Sequence, residues 1–488
     1  MPRPPATTFE HLQYHAAIQP DRVALILDDG EITYGRFAAD AMRFTKALAE
    51  LGIRGGQVVT IHHPHFYIEW LLTIGCENLG AVSVSDNARN WKQAGYLYQH
   101  VDVGLTNAAV DDEPPFPYHC LTDDWAYAVL RMDLALAQTQ PVTTPDLDAL
   151  VRITRSSGST GIPKLIPRTR RNQEAYITEC IRIIGLTAAT RLVLVGATFH
   201  INPILVRCQT CICLGATVHR ASDPAKAIDR QIPTHIWMLT GLIEWLVSAL
   251  PEENRIYPKL SIELAGSALS IPQKTLVTSK LTENILTFMG SNEATFLMKM
   301  MDSDNGSVVS GVDLELHDEY GAPVPDGVAG RIAVRTPSMI DGYYKSEEET
   351  GKWFRNGWFY TGDAGIMTGP RKVQLLGRAD DMVFLGGVKE SPLVLEDVLR
   401  TGSGVRDAAV VSIKASDGGN LVCVALVLAD NADLETVRAE ILTRWSIFRA
   451  RLIITAVNDL PRTENGKVSR AKVRDFFRQQ QGIAPATG

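Results

Sequence analysis

Strand-like and helix-like patterns alternate through much of the first half of this 488-residue chain, which narrows the possible folds more than any other feature. Apolar residues at helical spacing run from Phe9 to Gln19, and Val23–Leu27 reads as a strand. Asp28-Asp29-Gly30 then makes a turn into a second strand, Ile32-Thr33-Tyr34. The helix expected from Gly35 to Leu51 lines up Phe37, Ala41, Phe44, Leu48 and Leu51 and stops at Gly52. A strand over Gln57–Ile61, a helix over His65–Leu79 and a strand over Ala81–Ser85 follow. The same rhythm returns with strands at Leu192–Val195, Ala216–His219 and His235–Leu239 around an apolar helix, Ile204–Leu214. Strands separated by helices pair in parallel, so the expectation is an α/β protein whose large N-terminal body contains two stacked sheets or α/β subdomains.

After Tyr343 the texture changes to Gly, Asp and short strands through Gly377-Arg378. Beyond lie strands at Ala408–Ile413, Leu421–Val427 and Leu452–Val457 and helices at Asp433–Trp445 and Arg470–Gln480. This reads as a small α+β domain, residues 379–488, joined near Arg378-Ala379-Asp380 to a body of residues 1–378. With 45% apolar and 21% charged residues the composition is that of a soluble globular protein. A net charge of −7 gives no field to concentrate a polyanion, which argues against nucleic acid as a partner. Neither a leader-like apolar stretch behind Arg3 nor a run of the ~18 apolar residues needed to cross a bilayer is evident, so a cytoplasmic location without membrane partners is the expectation. The seven cysteines suit reduced thiols, with Cys208, Cys211 and Cys213 in a core. His62-His63-Pro64-His65 reads as a loop rather than a metal cluster.

The loudest chemical signal is Ser156-Ser157-Gly158-Ser159-Thr160-Gly161-Ile162-Pro163-Lys164, after the strand-like run from Leu150. Glycines let backbone approach a ligand, hydroxyls and amides donate to phosphate oxygens, and a lysine adds compact positive charge. Leu165 after the lysine distinguishes it from G-x-x-x-x-G-K-[ST]. With its neighbours this loop resembles the phosphate-binding motif of the acyl-adenylate-forming superfamily, which includes acyl- and aryl-CoA synthetases and adenylation domains. Ile32–Phe37, Leu51–Val59, Ala197-Thr198-Phe199-His200-Ile201, Gly290-Ser291-Asn292-Glu293, Tyr360-Thr361-Gly362-Asp363, Gly377-Arg378-Ala379-Asp380 and Pro461–Lys467 resemble further motifs of that superfamily in order.

The resemblance implies two half-reactions: a carboxylate attacks ATP to give an acyl-adenylate and pyrophosphate, and a thiol then displaces AMP. It implies catalytic roles for Lys467, Glu293 and His200. ATP contacts would come from Ser156, Ser157, Gly158, Ser159, Thr160, Gly161, Lys164, Gly266, Ser267, Ala268, Met289, Gly290, Ser291, Asn292, Asp363 and Arg378. Glu293 and Thr160 would attend Mg²⁺. A mobile C-terminal domain would pivot at Asp380 and bring Gly387 to a thiol tunnel used by coenzyme A or by the phosphopantetheine of a separate carrier protein. Met289 stands where most relatives place an aromatic residue, and Asn292 where they place Thr.

The acid would lie against Phe199, His200, Ile201, Asn202, Gly266 and Gly290. That pocket carries no Asp for an amino group, which disfavours α-amino acids. Phe199-His200-Ile201 resembles 4-coumarate:CoA ligases and the segment Lys164–Thr169 resembles siderophore aryl-acid-activating enzymes, so an aromatic carboxylic acid is expected. Trp353, Trp358 and Phe359 are expected to pack an aromatic joint beside Asp363, which reads as a loop residue.

Overall fold

The computed structural model describes residues 6–482 apart from 87–91, 93–94, 111–113, 145, 156–163, 197, 251–255, 267–268, 270, 303, 380, 382, 386–387, 391, 403, 415–419, 445–451 and 463–467. Two large sheets carry the N-terminal body. A six-stranded sheet runs in the order Tyr118–Cys120, Val103–Thr106, Val58–His62, Val82–Ser85, Leu150–Arg155, Leu165–Thr169, parallel except for the last pair. A 14-stranded sheet is parallel across Val23–Leu27, Thr217–Arg220, Arg191–Leu194, His235–Leu239, Ser261–Ala265 and Asn284–Ser291. From Asn284–Ser291 onward the pairing turns antiparallel, beginning with Thr295–Met300. The segment Gly290–Glu293 therefore sits where the sheet changes direction, the kind of strand-end crevice in which α/β proteins bind ligands.

Helices fill the space between the sheets. The helix Tyr34–Glu50 starts on Thr33, whose hydroxyl accepts from Arg36 N at 3.3 Å, so Tyr34 opens the helix instead of closing the strand. It packs against Phe66–Asn78, and the two share one core with Leu25 of the larger sheet, Val59 and Ile61 of the smaller, and Ile204, Cys208 and Cys211 of the helix Asn202–Leu214. Trp70 and Trp237 are fully buried there. All seven cysteines are free, and among the described residues no cluster of metal-ligating side chains occurs.

Two sequence expectations change in the second half. The stretch after Tyr343 contains the 12-residue strand Trp358–Gly369, clamped between Ala329–Arg335 and Lys372–Arg378. Asp363 is consequently a strand residue, paired in register with Arg378 and set in a bulge opposite Ala329–Arg335, because strand pairing before and after it carries through a glycine-containing segment that its composition alone marks as a loop. The smaller C-terminal unit is α+β. It contains the hairpin Val383–Leu385/Val388–Glu390 and the sheet Val405–Lys414, Asn420–Leu428, Leu452–Ala456, with helices Pro392–Arg400, Leu434–Arg444 and Arg470–Gln480. Its apolar clusters draw only on residues from Val383 onward. Among the described residues no helix is long and apolar enough to cross a membrane.

Candidate active site

One wall is built where Val82–Ser85 and Leu150–Arg155 end. Arg152, buried in the second of these strands, donates to Ser83 Oγ at 3.3 Å, Ser85 Oγ at 2.8 Å and the Phe199 carbonyl at 2.8 Å. A guanidinium can make such a three-way tie because it presents five fixed donors. It thereby fastens the segment ahead of Asn202–Leu214 to the other sheet. Phe199, fully buried, stacks on Phe66 at 4.4 Å between ring centroids.

His200 Nδ1 lies 2.7 Å from the Ser85 carbonyl. A carbonyl can only accept, so Nδ1 carries the proton and the neutral ring offers its lone pair at Nε2. Desolvation of the ring, with Arg155 and Arg152 nearby, holds its pKa below the usual imidazole value and keeps it neutral. The His62 ring stands 5.9 Å from that of His200. Behind Arg152, burial pushes the Glu69 carboxyl up to about 7. Asn202 is buried, and among the described residues neither its amide oxygen nor its nitrogen has a hydrogen-bond partner.

A second set of groups gathers around Gly290–Glu293. A Cβ at Gly290 would lie 2.1 Å from the Thr295 carbonyl oxygen, so only glycine lets the two strands approach this closely. Asn292 donates through its amide to the Arg155 carbonyl at 3.2 Å, and its own carbonyl accepts from fully buried Arg168. The turn is thus tied to the last described residue before 156–163, and among the described residues this bond uses one of the two N–H groups of the Asn292 amide. Arg155 also pairs with buried Asp86 at 3.1 Å. Tyr343 donates its hydroxyl to Glu293 Oε1 at 3.0 Å; burial, and then the charge of Glu293, raise the tyrosine pKa and keep it a donor.

Lys164, the first described residue after 156–163, reaches the same place. Its ammonium is 3.2 Å from Glu349 Oε2, 3.8 Å from the centroid of the Trp353 ring and 4.8 Å from that of Tyr343. The Arg378 guanidinium is 5.8 Å from the same Trp353 ring, donates to the Thr361 carbonyl at 2.8 Å and lies 3.7 Å from Asp363. Gly362, between Thr361 and Asp363, has a φ of +79°, and a Cβ there would fall 2.2 Å from Arg378 Nη2. The aromatic joint therefore divides. Phe359 packs on Phe354, Trp358 meets His317 and carries the Arg335 guanidinium 4.0 Å from its ring centroid, and Trp353 faces Lys164 and Arg378.

The structure thus brings Lys164, Glu293, Arg378 and Asp363 into one region, joined through Asn292 and Arg155 to the strand ends that hold His200 and Phe199. Met289, Ser291 and Gly266 close the strands alongside, Ser291 accepting from Ala294 N at 3.2 Å. Ser156, Ser157, Gly158, Ser159, Thr160, Gly161, Ser267, Ala268, Asp380, Gly387 and Lys467 lie outside the described residues. Sequence reasoning missed Arg152, Tyr343 and Glu349, which fall in no motif it quoted as chemical, and gave no role to Arg168 within the segment Lys164–Thr169.

Comparison with known proteins gives the same direction. Residues 12–344 match the family model described as AMP-binding enzyme. The chain is 33% identical over 505 residues to the 3-hydroxybenzoate–CoA ligase of Aromatoleum sp. (strain CIB), with 94% of each chain covered. It is 25% identical over 491 residues to the feruloyl-CoA synthase of Amycolatopsis sp., covering 95% of this chain and 97% of the relative. The fold superposes on that of ATP-bound MatB from Rhodopseudomonas palustris with a TM-score of 0.84 at 21% identity, covering 98% and 99% of the two chains.

Proposed function

The chain belongs to the AMP-binding enzyme family, and from that premise we propose that it is an acid–thiol ligase that converts an aromatic carboxylic acid into its acyl-adenylate with ATP and then into a thioester with coenzyme A. The observation that carries this reading is the continuous contact path from His200 through Ser85, Arg152 and the strand end at Arg155 to Asn292. It sets an aromatic-lined wall beside the group formed by Lys164, Glu293 and Arg378.

The first half-reaction forms a bond between a carboxylate oxygen and the α-phosphorus and breaks the bond to pyrophosphate. It needs in-line positioning and charge neutralisation, with no nucleophile from the protein. Lys164 and Arg378 supply fixed positive charge for the polyphosphate, and Asp363 is an acceptor suited to a ribose diol. Glu293, a mostly buried carboxylate with one oxygen held by Tyr343, fits a hard cation, and Mg²⁺ held there would neutralise phosphate charge. Lys467 is assigned to the α-phosphate during adenylation, where one ammonium stabilises the developing charge. In the second half-reaction the thiol sulfur bonds to the acyl carbon and AMP leaves. We assign the domain boundary to 378/379, the pivot to Asp380 and the thiol approach to Gly387.

The Phe66–Phe199 stack and the relationship to a 3-hydroxybenzoate–CoA ligase favour an aromatic acid. Asn202, whose amide has no hydrogen-bond partner among the described residues, is assigned to the far end of the acid, where it selects among ring substituents. The test is pyrophosphate release from MgATP across a panel of carboxylic acids, with coenzyme A added second. The expected result is release that depends on an aromatic acid, followed by a thioester. Absence of acid-dependent release with every acid overturns the ligase reading, and adenylate formation without thioester on free coenzyme A overturns the choice of thiol.

A further inference from the structure

Lysine carries a compact charge on four rotatable bonds, and fixing it in one geometry costs rotamer entropy. Lys164 closes the glycine-rich sequence Ser156–Lys164. The structure supplies the restraint from elsewhere, on the short helix Glu347–Trp353.

Glu349 is the anchor. Its Oε1 accepts from Lys352 at 2.7 Å, and its Oε2 accepts from Trp353 Nε1 at 3.2 Å and meets Lys164 Nζ at 3.2 Å. Lys352 first, and then Lys164 and Trp353, hold its carboxyl down at about 2, so it stays charged. Because the indole N–H is bound to the carboxylate that pairs with the lysine, ring face and carboxylate are fixed relative to each other. They form a two-sided seat, with the ammonium 3.8 Å from the ring centroid and a hydrogen-bond partner beside it. The same ring lies 5.8 Å from the Arg378 guanidinium, so two like charges share one electron-rich surface, which lowers the cost of holding them close before an anion arrives.

We propose that Trp353 and Glu349 are positioning residues that seat Lys164 against the polyphosphate of ATP. The proposal rests on the reading of Lys164 as a polyphosphate contact and adds what makes that contact effective. Neither residue acts on the substrate directly. They act by limiting where the lysine can be.

The experiment measures MgATP dissociation constants by calorimetry, and KM for MgATP and for the acid, on wild type and the variants Lys164→Ala, Trp353→Leu, Trp353→Phe and Glu349→Gln. Loss of the ring or of the anchor is expected to weaken MgATP about tenfold with the acid KM unchanged, while Trp353→Phe, which keeps a ring face, stays within about threefold. In a Lys164→Ala background, Trp353→Leu should weaken MgATP no further, since the seat then has nothing to hold. Lys164→Ala binding MgATP like wild type overturns the premise about the lysine, and the proposal with it. Lys164→Ala weakening MgATP while Trp353→Leu and Glu349→Gln do not overturns the seat alone. Tighter MgATP binding by Glu349→Gln also overturns it, because Glu349 then competes with phosphate for the lysine. Equal losses in the Lys164 and Lys164→Ala backgrounds mark a general structural defect and count against it as well.

Discussion

The wall assigned to the acid and the wall assigned to the polyphosphate are both rich in charged side chains, yet they are held by different means. On the acid side the holding groups are buried and short-range. Arg152 ties two serine hydroxyls and a main-chain carbonyl together, His200 is locked by a carbonyl, and Phe199 is clamped between aromatic rings. On the phosphate side two long, partly exposed side chains, Lys164 and Arg378, meet around the Trp353 ring, beside buried Glu293, which accepts from the Tyr343 hydroxyl. A ring that must be recognised by shape gains from a rigid wall. A highly charged ligand is met by charges at the tips of long side chains, which need partners of their own to hold them in place.

If the walls are separable, the largest disturbance should come from the residue that serves both. Gly290 stands at the change of sheet direction, and a methyl group there collides with the Thr295 carbonyl at 2.1 Å. Backbone cannot move aside as a side-chain tip can, so Gly290→Ala should shift the whole Gly290–Glu293 turn. A displacement costing about 1–3 kcal/mol lowers kcat/KM by about 5- to 150-fold, with KM for acid and for MgATP both rising. A Gly290→Ala enzyme affected in only one KM would show that the turn belongs to a single wall.

These two modes of support also explain what could be read in advance. Phe199–Asn202 and Gly290–Glu293 are contiguous, so their chemistry is visible in a line of sequence. The α/β alternation was equally legible, because helix and strand periods are local. Arg152 was not, since one arginine in the strand Leu150–Arg155 looks like an outward-facing residue, and only the neighbouring sheet edge and Phe199 turn it inward. Trp353 and Glu349 were still less visible. Their partner Lys164 lies far away in the chain, and an acidic run ending in tryptophan reads as a solvated helix with an aromatic end. Asp363 was misplaced for a related reason: its pairing with Arg378, at a bulge in the pairing with Ala329–Arg335, overrode the loop-like composition of Thr361-Gly362-Asp363.

A smaller and one-sided effect is expected from Arg152→Met. It strips the Phe199 carbonyl and the hydroxyls of Ser83 and Ser85 of their donor, leaving buried polar groups unsatisfied at about 1–3 kcal/mol. Steady-state kinetics should show KM for the acid rising about tenfold, with KM for MgATP within twofold of wild type. Equal movement of both constants would break the separation, since it would mean that the strand end transmits the loss to Asn292 through Arg155.

The smallest effect concerns Glu69, the carboxyl behind the acid wall, and it reports whether that wall is held by neutral or charged groups. Burial raises its native pKa from 4.5 to about 7. The unfolded chain therefore releases this proton near pH 4.5 while the native state keeps it until about 7, so native stability falls as pH rises across that window and is flat above it. Glu69→Gln cannot lose a proton. Relative to wild type, its melting temperature should rise by a few degrees between pH 5 and pH 8. Part of the wild-type pH dependence should survive in the variant, because burial raises Glu77 to about 7 as well. A constant difference across the range would mean that Glu69 is ionised throughout and paired with Arg152. The acid wall would then rest on an ion pair, and its contrast with the phosphate wall would be one of burial alone.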